Sequence, residues 1–269
     1  MITIMRRLIT TLVACGALLA GTAFAQAEIK DPVQALKAVL ASGNGVRFTE
    51  TTTLLDGADE RAERRRTGTF EFDAGGHVKA LDVTTTGGEY GRERVIGFNH
   101  DIGGTAYRSG GLLTQWLRKG KTWWKDSHQM HLWHTELLGY DEQLVNPAEP
   151  ATLAALMKNG RRSGDTVTGA ITFEKLEQVS RWAEHATHIG WEEDARLDYT
   201  VTLSPSGLVS RVQSTFTFAD ALDELTGKTV HVETRYQQWG GKVSIKAPDP
   251  RRTTSELCIE GRCNWRLPG

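Results

Sequence analysis

The stretch DSHQMHLWHTE, residues 126–136, sets His128, His131 and His134 three apart, with Trp133 between the last two and Glu136 just behind. Three imidazoles and a carboxylate are the donor types of a zinc hydrolase, so their spacing decides whether that chemistry is available. On a strand His128 and His134 share one face and His131 points away; on a helix His128 and His131 are neighbours and His134 swings off. Neither geometry converges three imidazoles on one ion, and only a compact loop would. The HExxH pattern is absent, so the stretch reads as a wall or rim where imidazole and indole meet a polar and apolar boundary. WAEHATHIGWEED, residues 182–194, raises the same question through His185, His188, Glu192, Glu193 and Asp194. It reads as a charged loop between two strands.

No G-x-S-x-G elbow, P-loop or GxGxxG fingerprint occurs, which leaves nucleophilic, phosphate and dinucleotide chemistry without support. With 33 acidic residues in the chain, carboxylate pairs that could serve a glycosidase arise in any fold, so their presence selects nothing. The formal net charge of −1 argues against a nucleic-acid partner, which would need a strong basic patch. ERAERRR, residues 60–66, is the one dense basic run; acids interrupt it, and it reads as a solvated loop and strand start. No catalytic residue, metal or cofactor is assigned, and the chain is expected not to be an enzyme.

The N-terminus carries an address. Arg6 and Arg7 precede an uncharged, mostly apolar run from Leu8 to Phe24, and Ala23-Phe24-Ala25 supplies a small-x-small cleavage site. That order is a secretory signal peptide over residues 1–25. The run is about 17 residues, short of the roughly 20 that a spanning helix needs. Leu12-Val13-Ala14-Cys15 also matches a lipobox, in which Cys15 would be lipidated and tether the protein to the outer face of the membrane. The two alternatives are secretion and attachment to the cell envelope. Cys258 and Cys263, in CIEGRC, then form an even pair around a Glu-Gly-Arg turn. In an oxidising compartment they read as a disulfide clasping the C-terminal tail, residues 251–269.

The elements that must position any site are mostly strands. Asp31 and Pro32 open a helix with Val33, Leu36, Val39 and Leu40 on one face, stopped by Gly43 and Gly45. RLDYTVTLS, GLVSRVQSTFTFAD and TVHVETRYQQW then alternate apolar and polar residues, each with one apolar and one wet face, as in an antiparallel sheet. GVRFTETTTLL, TGTFEFD, HVKALDVTTT, RVIGF, GTAYRS, KTWWKD and TVTGAITFEKL repeat the pattern more weakly. NPAEPATLAALMKNG interrupts them with a short helix bounded by Pro147, Pro150 and Asn159-Gly160. The expectation is one α+β domain over residues 26–269: a large, curved antiparallel sheet of about ten strands with two or three helices over its concave face. So few helices leave an apolar concavity, which is where a ligand would sit.

Two passages resemble a known family. YQQWGGKVSIKAP, Tyr236 to Pro248, is similar to the C-terminal ending of the LolA-like superfamily, in which a last long strand closes with Tyr, Trp-Gly, Val-x-Ile and Pro. AYRSGGLLTQWLRKGKTWWK resembles the middle of the actinobacterial LppX/LprG-type branch, where a Tyr strand turns through Gly120-Lys121-Thr122-Trp123. The Pro-x-x-Ala-Leu helix at Pro32 and the succession of strands follow the same order, so the likeness spans nearly all of the mature chain. Gln238 departs from the pattern, since the family often has Asp before Trp-Gly. The resemblance implies a half-open β-barrel that holds acyl chains or lipidated partners in an apolar cavity without catalysis.

On that reading Phe48, Phe70, Phe72, Ile171, Phe173, Leu197, Tyr199, Val201, Phe216, Phe218, Val230 and Val232 form the cavity wall, although the same inward rows would serve as ordinary core. Trp116, Trp123, Trp124 and Trp133 lie within one short span and suit a cavity mouth or a partner surface. One 16-carbon chain moved from water into such a cavity gains on the order of 11 kcal/mol at about 0.8 per methylene. The expected partner is a lipid or acylated molecule bound by a monomer, with a membrane protein or lipoprotein as donor or acceptor. Two alternatives stay open: an envelope sensor of the same fold that binds a membrane regulatory protein, and a metal-dependent hydrolase using His128 to Glu136 or His185 to Asp194.

Overall fold

The computed structural model describes residues 31–57, 59–87, 91–98, 104–126, 142–184, 195–218, 225–259 and 262–265. The signal sequence, Cys15, Trp133 and the histidine stretches at 127–136 and 185–194 lie outside the described residues.

Helix α1 (Pro32–Val39) begins where the sequence places it: the Asp31 carboxylate accepts the N–H groups of Val33 and Gln34, and Pro32 occupies the first turn. Leu36 is buried on its inner side. The chain turns at Gly43, whose φ of +73° suits glycine, and enters a run of long hairpins. These are β1 (Asn44–Asp56), β2 (Asp59–Phe72), β3 (Val78–Gly87), β4 (Glu93–Phe98) and β5 (Thr105–Gly110), followed by a 3-10 turn (Leu112–Trp116) and β6 (Trp123–Asp126). Next come α2 (Pro150–Asn159), β7 (Arg161–Ser163), β8 (Thr166–Thr172), α3 (Phe173–Val179), α4 (Arg181–Glu184), β9 (Arg196–Leu203), β10 (Val209–Thr217) and β11 (Thr229–Lys242). The tail carries β12 (Thr253–Thr254), β13 (Leu257–Ile259) and β14 (Arg262–Trp265).

Twelve strands make one open, curved sheet in the order β12-β6-β5-β4-β3-β2-β1-β11-β10-β9-β8-β7. Every neighbouring pair is antiparallel except β12 with β6. The fold is the expected α+β class with a half-open barrel, built from more short pieces than the sequence suggests. The ERAERRR run is strand rather than loop: β2 passes straight through it, pairing Arg66 with Glu50, Arg65 with Thr51 and Arg64 with Thr52. TVTGAITFEKL is likewise not one strand. It breaks after Thr172, whose hydroxyl accepts the Lys175 N–H and caps α3, so Phe173 is a helical residue that still reaches the core.

Alternation sets the inner face. Val46, Phe48, Phe70, Phe72, Leu81, Val83 and Val95 from one half meet Leu197, Tyr199, Val201, Val212, Phe216, Val230 and Val232 from the other in one buried cluster, closed over by Leu36, Leu153, Leu156, Phe173 and Leu176. The Tyr199 hydroxyl donates to the Leu156 carbonyl at 2.8 Å, tying β9 to α2. At the far edge, β12 pairs with β6 through Thr253 and Trp123, and Leu117 bridges to Leu257. The tail thereby covers an edge strand that would otherwise offer unpaired backbone groups. Cys258 and Cys263 are joined, as the sequence predicts, and close the β13–β14 hairpin.

Candidate binding pocket

The inner face is not uniformly apolar. Strand register lines up Thr85 of β3, Arg66 of β2, Glu50 of β1 and Thr234 of β11 in one row across the sheet, continued by Val212 and Val201. Four of the six residues of a row that should be hydrophobic are therefore polar, and all four are buried. Arg66 Nη1 lies 2.7 Å from Glu50 Oε1, and its Nη2 lies 3.2 Å from Glu142 Oε2. The Thr234 hydroxyl donates to Glu50 Oε2 at 2.8 Å. The Arg66 guanidinium sits 6.0 Å from the centre of the Phe48 ring, a cation–π distance. That ring lies where a side chain on Gly68 would otherwise project.

Glu142 belongs to a strap, residues 142–148, laid over this row and buried along its length. Gln143 fixes it from both ends of its amide: Oε1 accepts the Ser214 hydroxyl at 2.8 Å and the Val145 N–H at 3.2 Å, and Nε2 donates to the Thr234 hydroxyl at 3.4 Å. Trp182 Nε1 donates to the Gln143 carbonyl at 2.9 Å. Burial holds the Glu50 carboxyl above the usual carboxylate range, opposed by the charge of Arg66 and the hydrogen bond from Thr234. Burial and the nearby Glu50 charge hold the Tyr236 phenol well above its ordinary value.

Two cavities adjoin the strap. The smaller, about 10 Å³ and bordered by Phe48, Glu50, Arg66, Phe70, Gln143, Asn146, Trp182 and Tyr236, has about the room of a single water molecule. The larger, about 510 Å³, falls within the range of small-molecule sites. It lies between the β2–β3 turn (Asp73, Gly76, His77, Val78, Lys79), the strap and start of α2 (Asn146, Ala148, Glu149, Pro150, Ala151) and the α3–α4 corner (Val179, Arg181, Trp182). Asn146 and Trp182 border both cavities. Glu149 pins the corner: its carboxylate accepts the hydroxyls of Thr152 and Ser180 and the N–H of Trp182. Burial raises its pKa, against the pull of these hydrogen bonds.

The side chain of Asn146 is the one oddity of this wall. Its Oδ1 accepts the Ala148 N–H at 3.0 Å, which fixes the amide orientation. Its Nδ2 is then buried with no hydrogen-bond partner among the described residues, in a residue only 2% exposed.

No protein-family model matches the sequence, and no characterised protein shows significant sequence similarity to it. Among solved structures the chain is similar to a DUF1329 family protein from Desulfovibrio piger, with 9% identity and a TM-score of 0.34 over 77% of this chain and 93% of that one.

All twelve residues expected to form a cavity wall are buried together in the core. Phe48 and Phe70 touch the smaller cavity, and none of the twelve borders the larger one. The tryptophans divide: Trp124 is buried, and Trp116 and Trp123 are half-buried, the latter with the Arg94 guanidinium 5.7 Å from its ring centre. Among the described residues no three His, Cys, Asp or Glu side chains are placed to hold one metal ion, and no helix is long and apolar enough to cross a membrane. The disulfide is compatible with an extracytoplasmic location. Sequence reasoning missed Glu50, Arg66, Glu142, Asn146 and Glu149. The legible signal was in β1, where Glu50 falls two residues after Phe48 and so on the apolar side of the alternation.

Proposed function

We propose that this chain is a non-catalytic, extracytoplasmic binding protein of LolA-like build that carries a lipid or lipidated molecule by reversible burial of its apolar part. The supporting observation is the 510 Å³ pocket where the strap meets the β2–β3 turn, with Val78, Ala148, Pro150, Ala151, Val179 and Trp182 in its wall. The apolar part of this wall, which it shares with Asp73, His77, Lys79, Asn146, Glu149 and Arg181, would grip by contact area rather than by directional bonds, which permits loading and release. Secretion or a lipid tether at Cys15 would bring the pocket to the membrane surface, where a membrane protein or lipoprotein would load it.

The test is native mass spectrometry of the mature protein from its own host, followed by organic extraction. Co-purifying lipid near one-to-one, lost in an Ala151→Trp variant that keeps its thermal midpoint, is the expected result. Ala151 is exposed at the start of α2 and borders the pocket, so an indole there fills the mouth without disturbing the core. A clean apo mass with no uptake of added lipid would refute the carrier. The second reading, an envelope sensor that docks a membrane regulatory protein, draws on the dense packing of the twelve inward residues, and it would then take precedence.

A further inference from the structure

We infer that the outer face of the sheet, turned away from the strap, holds a second site that does not depend on the carrier reading: a trough across β1–β4 that binds a phosphate ester of a small polyol between Arg47 and Arg92. The alternation that sends Phe48, Phe70 and Val83 into the core turns Arg47, Thr49, Thr67, Thr69 and Thr84 outward. Register lays Thr49, Thr67, Thr84 and Arg94 side by side across β1–β4, with Arg47, Thr69 and Asp82 in the adjoining row. Short threonines between long arginines leave a hollow of about 430 Å³, within the range of small-molecule sites. Arg92, just ahead of β4, borders it as well. Its carbonyl accepts the Gly111 N–H at 3.0 Å, which fixes the backbone that carries it.

Charge and hydrogen bonding name the ligand. Asp82, the one acid of the lining, is already matched: Arg94 Nε and Nη2 lie 2.8 and 2.6 Å from its two carboxylate oxygens. Arg47 and Arg92 are exposed and have no side-chain hydrogen bond or ion pair among the described residues. The trough therefore keeps two cations without a counter-ion, in a chain whose formal net charge is −1, and this local field draws in an anion. A carboxylate offers two oxygens in one plane and is filled by a single guanidinium fork, whereas a phosphate ester has oxygens for a fork from each side. The floor suits a hydroxylated body: the hydroxyls of Thr49, Thr67, Thr69 and Thr84 bond to no other described residue and can both donate and accept. Phe48 and Gly68 also border the trough but belong to the inward row, so every outward residue of its lining is polar.

The experiment titrates the mature protein at pH 7 with glycerol 3-phosphate and with glycerol by calorimetry, and with phosphatidylglycerol vesicles by co-sedimentation. The phosphate ester should bind saturably and at least about tenfold more tightly than glycerol, and raising the salt should weaken it. The double variant Arg47→Gln, Arg92→Gln should weaken it about tenfold. Both arginines are exposed, so that variant keeps the wild-type thermal midpoint. Binding of either probe that the variant loses supports the site, and which probe binds names the source: the soluble ester a free metabolite, the vesicle a lipid headgroup. No binding of either probe, equal affinity for the ester and glycerol, or binding unmoved by the double variant overturns the inference. Ala151→Trp, which fills the other pocket, should leave phosphate-ester binding unchanged. Loss of the ester in Ala151→Trp would move it to that pocket and overturn the outer site, so the two readings fail separately.

Discussion

Replacing Arg66 by Met should destabilise the protein severely and in a pH-dependent way. The variant leaves Glu50 and Glu142, both buried, facing each other without the cation that now sits 2.7 and 3.2 Å from them. Breaking one side of a buried ion pair costs about 3–5 kcal/mol, because the stranded charge must be neutralised or hydrated. For a chain of this size that lowers the thermal midpoint by roughly 10 °C. The sign with pH follows from Glu50, whose carboxyl burial raises above 4.5 and whose largest opposing influence is Arg66. A carboxyl raised in the folded state contributes stability that is fully present below the unfolded pKa and is lost as pH rises through the folded one. Removing Arg66 raises Glu50 further, so the penalty should be largest at pH 7 and should shrink toward pH 4.5. Urea unfolding followed by tryptophan fluorescence at both pH values, with the disulfide intact, measures it. The double variant Arg66→Met, Glu50→Gln should be more stable than the single one at pH 7. A cost below about 1 kcal/mol, or an equal cost at both pH values, would refute the placement of these charges.

Gly68→Ala should cost about 1–3 kcal/mol by overpacking, since the added Cβ would lie 2.3 Å from Phe48 Cζ and 3.0 Å from Val83 Cγ2. A thermal midpoint within 1 °C of wild type would show that the Phe48 ring does not lie across this strand. Reducing the clasp with Cys258→Ser and Cys263→Ser should remove about 2 kcal/mol from the tail alone, given its short loop. Hydrogen exchange should quicken over residues 257–265 and at the β6 edge while the main sheet keeps its protection; uniform quickening would show that the tail is integral to the sheet.

What the sequence disclosed and what it hid follow from the range of the interactions. The hairpin from β9 to β10 and the last long strand were legible because period-two alternation is local: Leu197, Tyr199 and Val201 announce their face within five residues. The Cys258–Cys263 clasp is equally local. Arg66 was not legible, because it stands next to Arg65, which alternation turns to the other face, and two residues after Arg64, which shares its face but is only half-buried; what sets Arg66 apart is its full burial opposite Glu50 on the neighbouring strand. The break at Thr172 was hidden because AITFE continues the strand pattern until a side-chain cap ends it. The pocket was the least legible feature of all. Its wall comes from a turn near residue 76, a strap near 146 and a helix corner near 181, and no periodicity links segments so far apart. The strap itself, EQLVNPA, carries no regular pattern; its path is dictated by hydrogen bonds from Ser214 and Trp182, 71 and 39 residues away from Gln143. A site built this way sits where three independent segments meet over a polar row, so movement of any one of them changes the pocket while the core beneath stays packed.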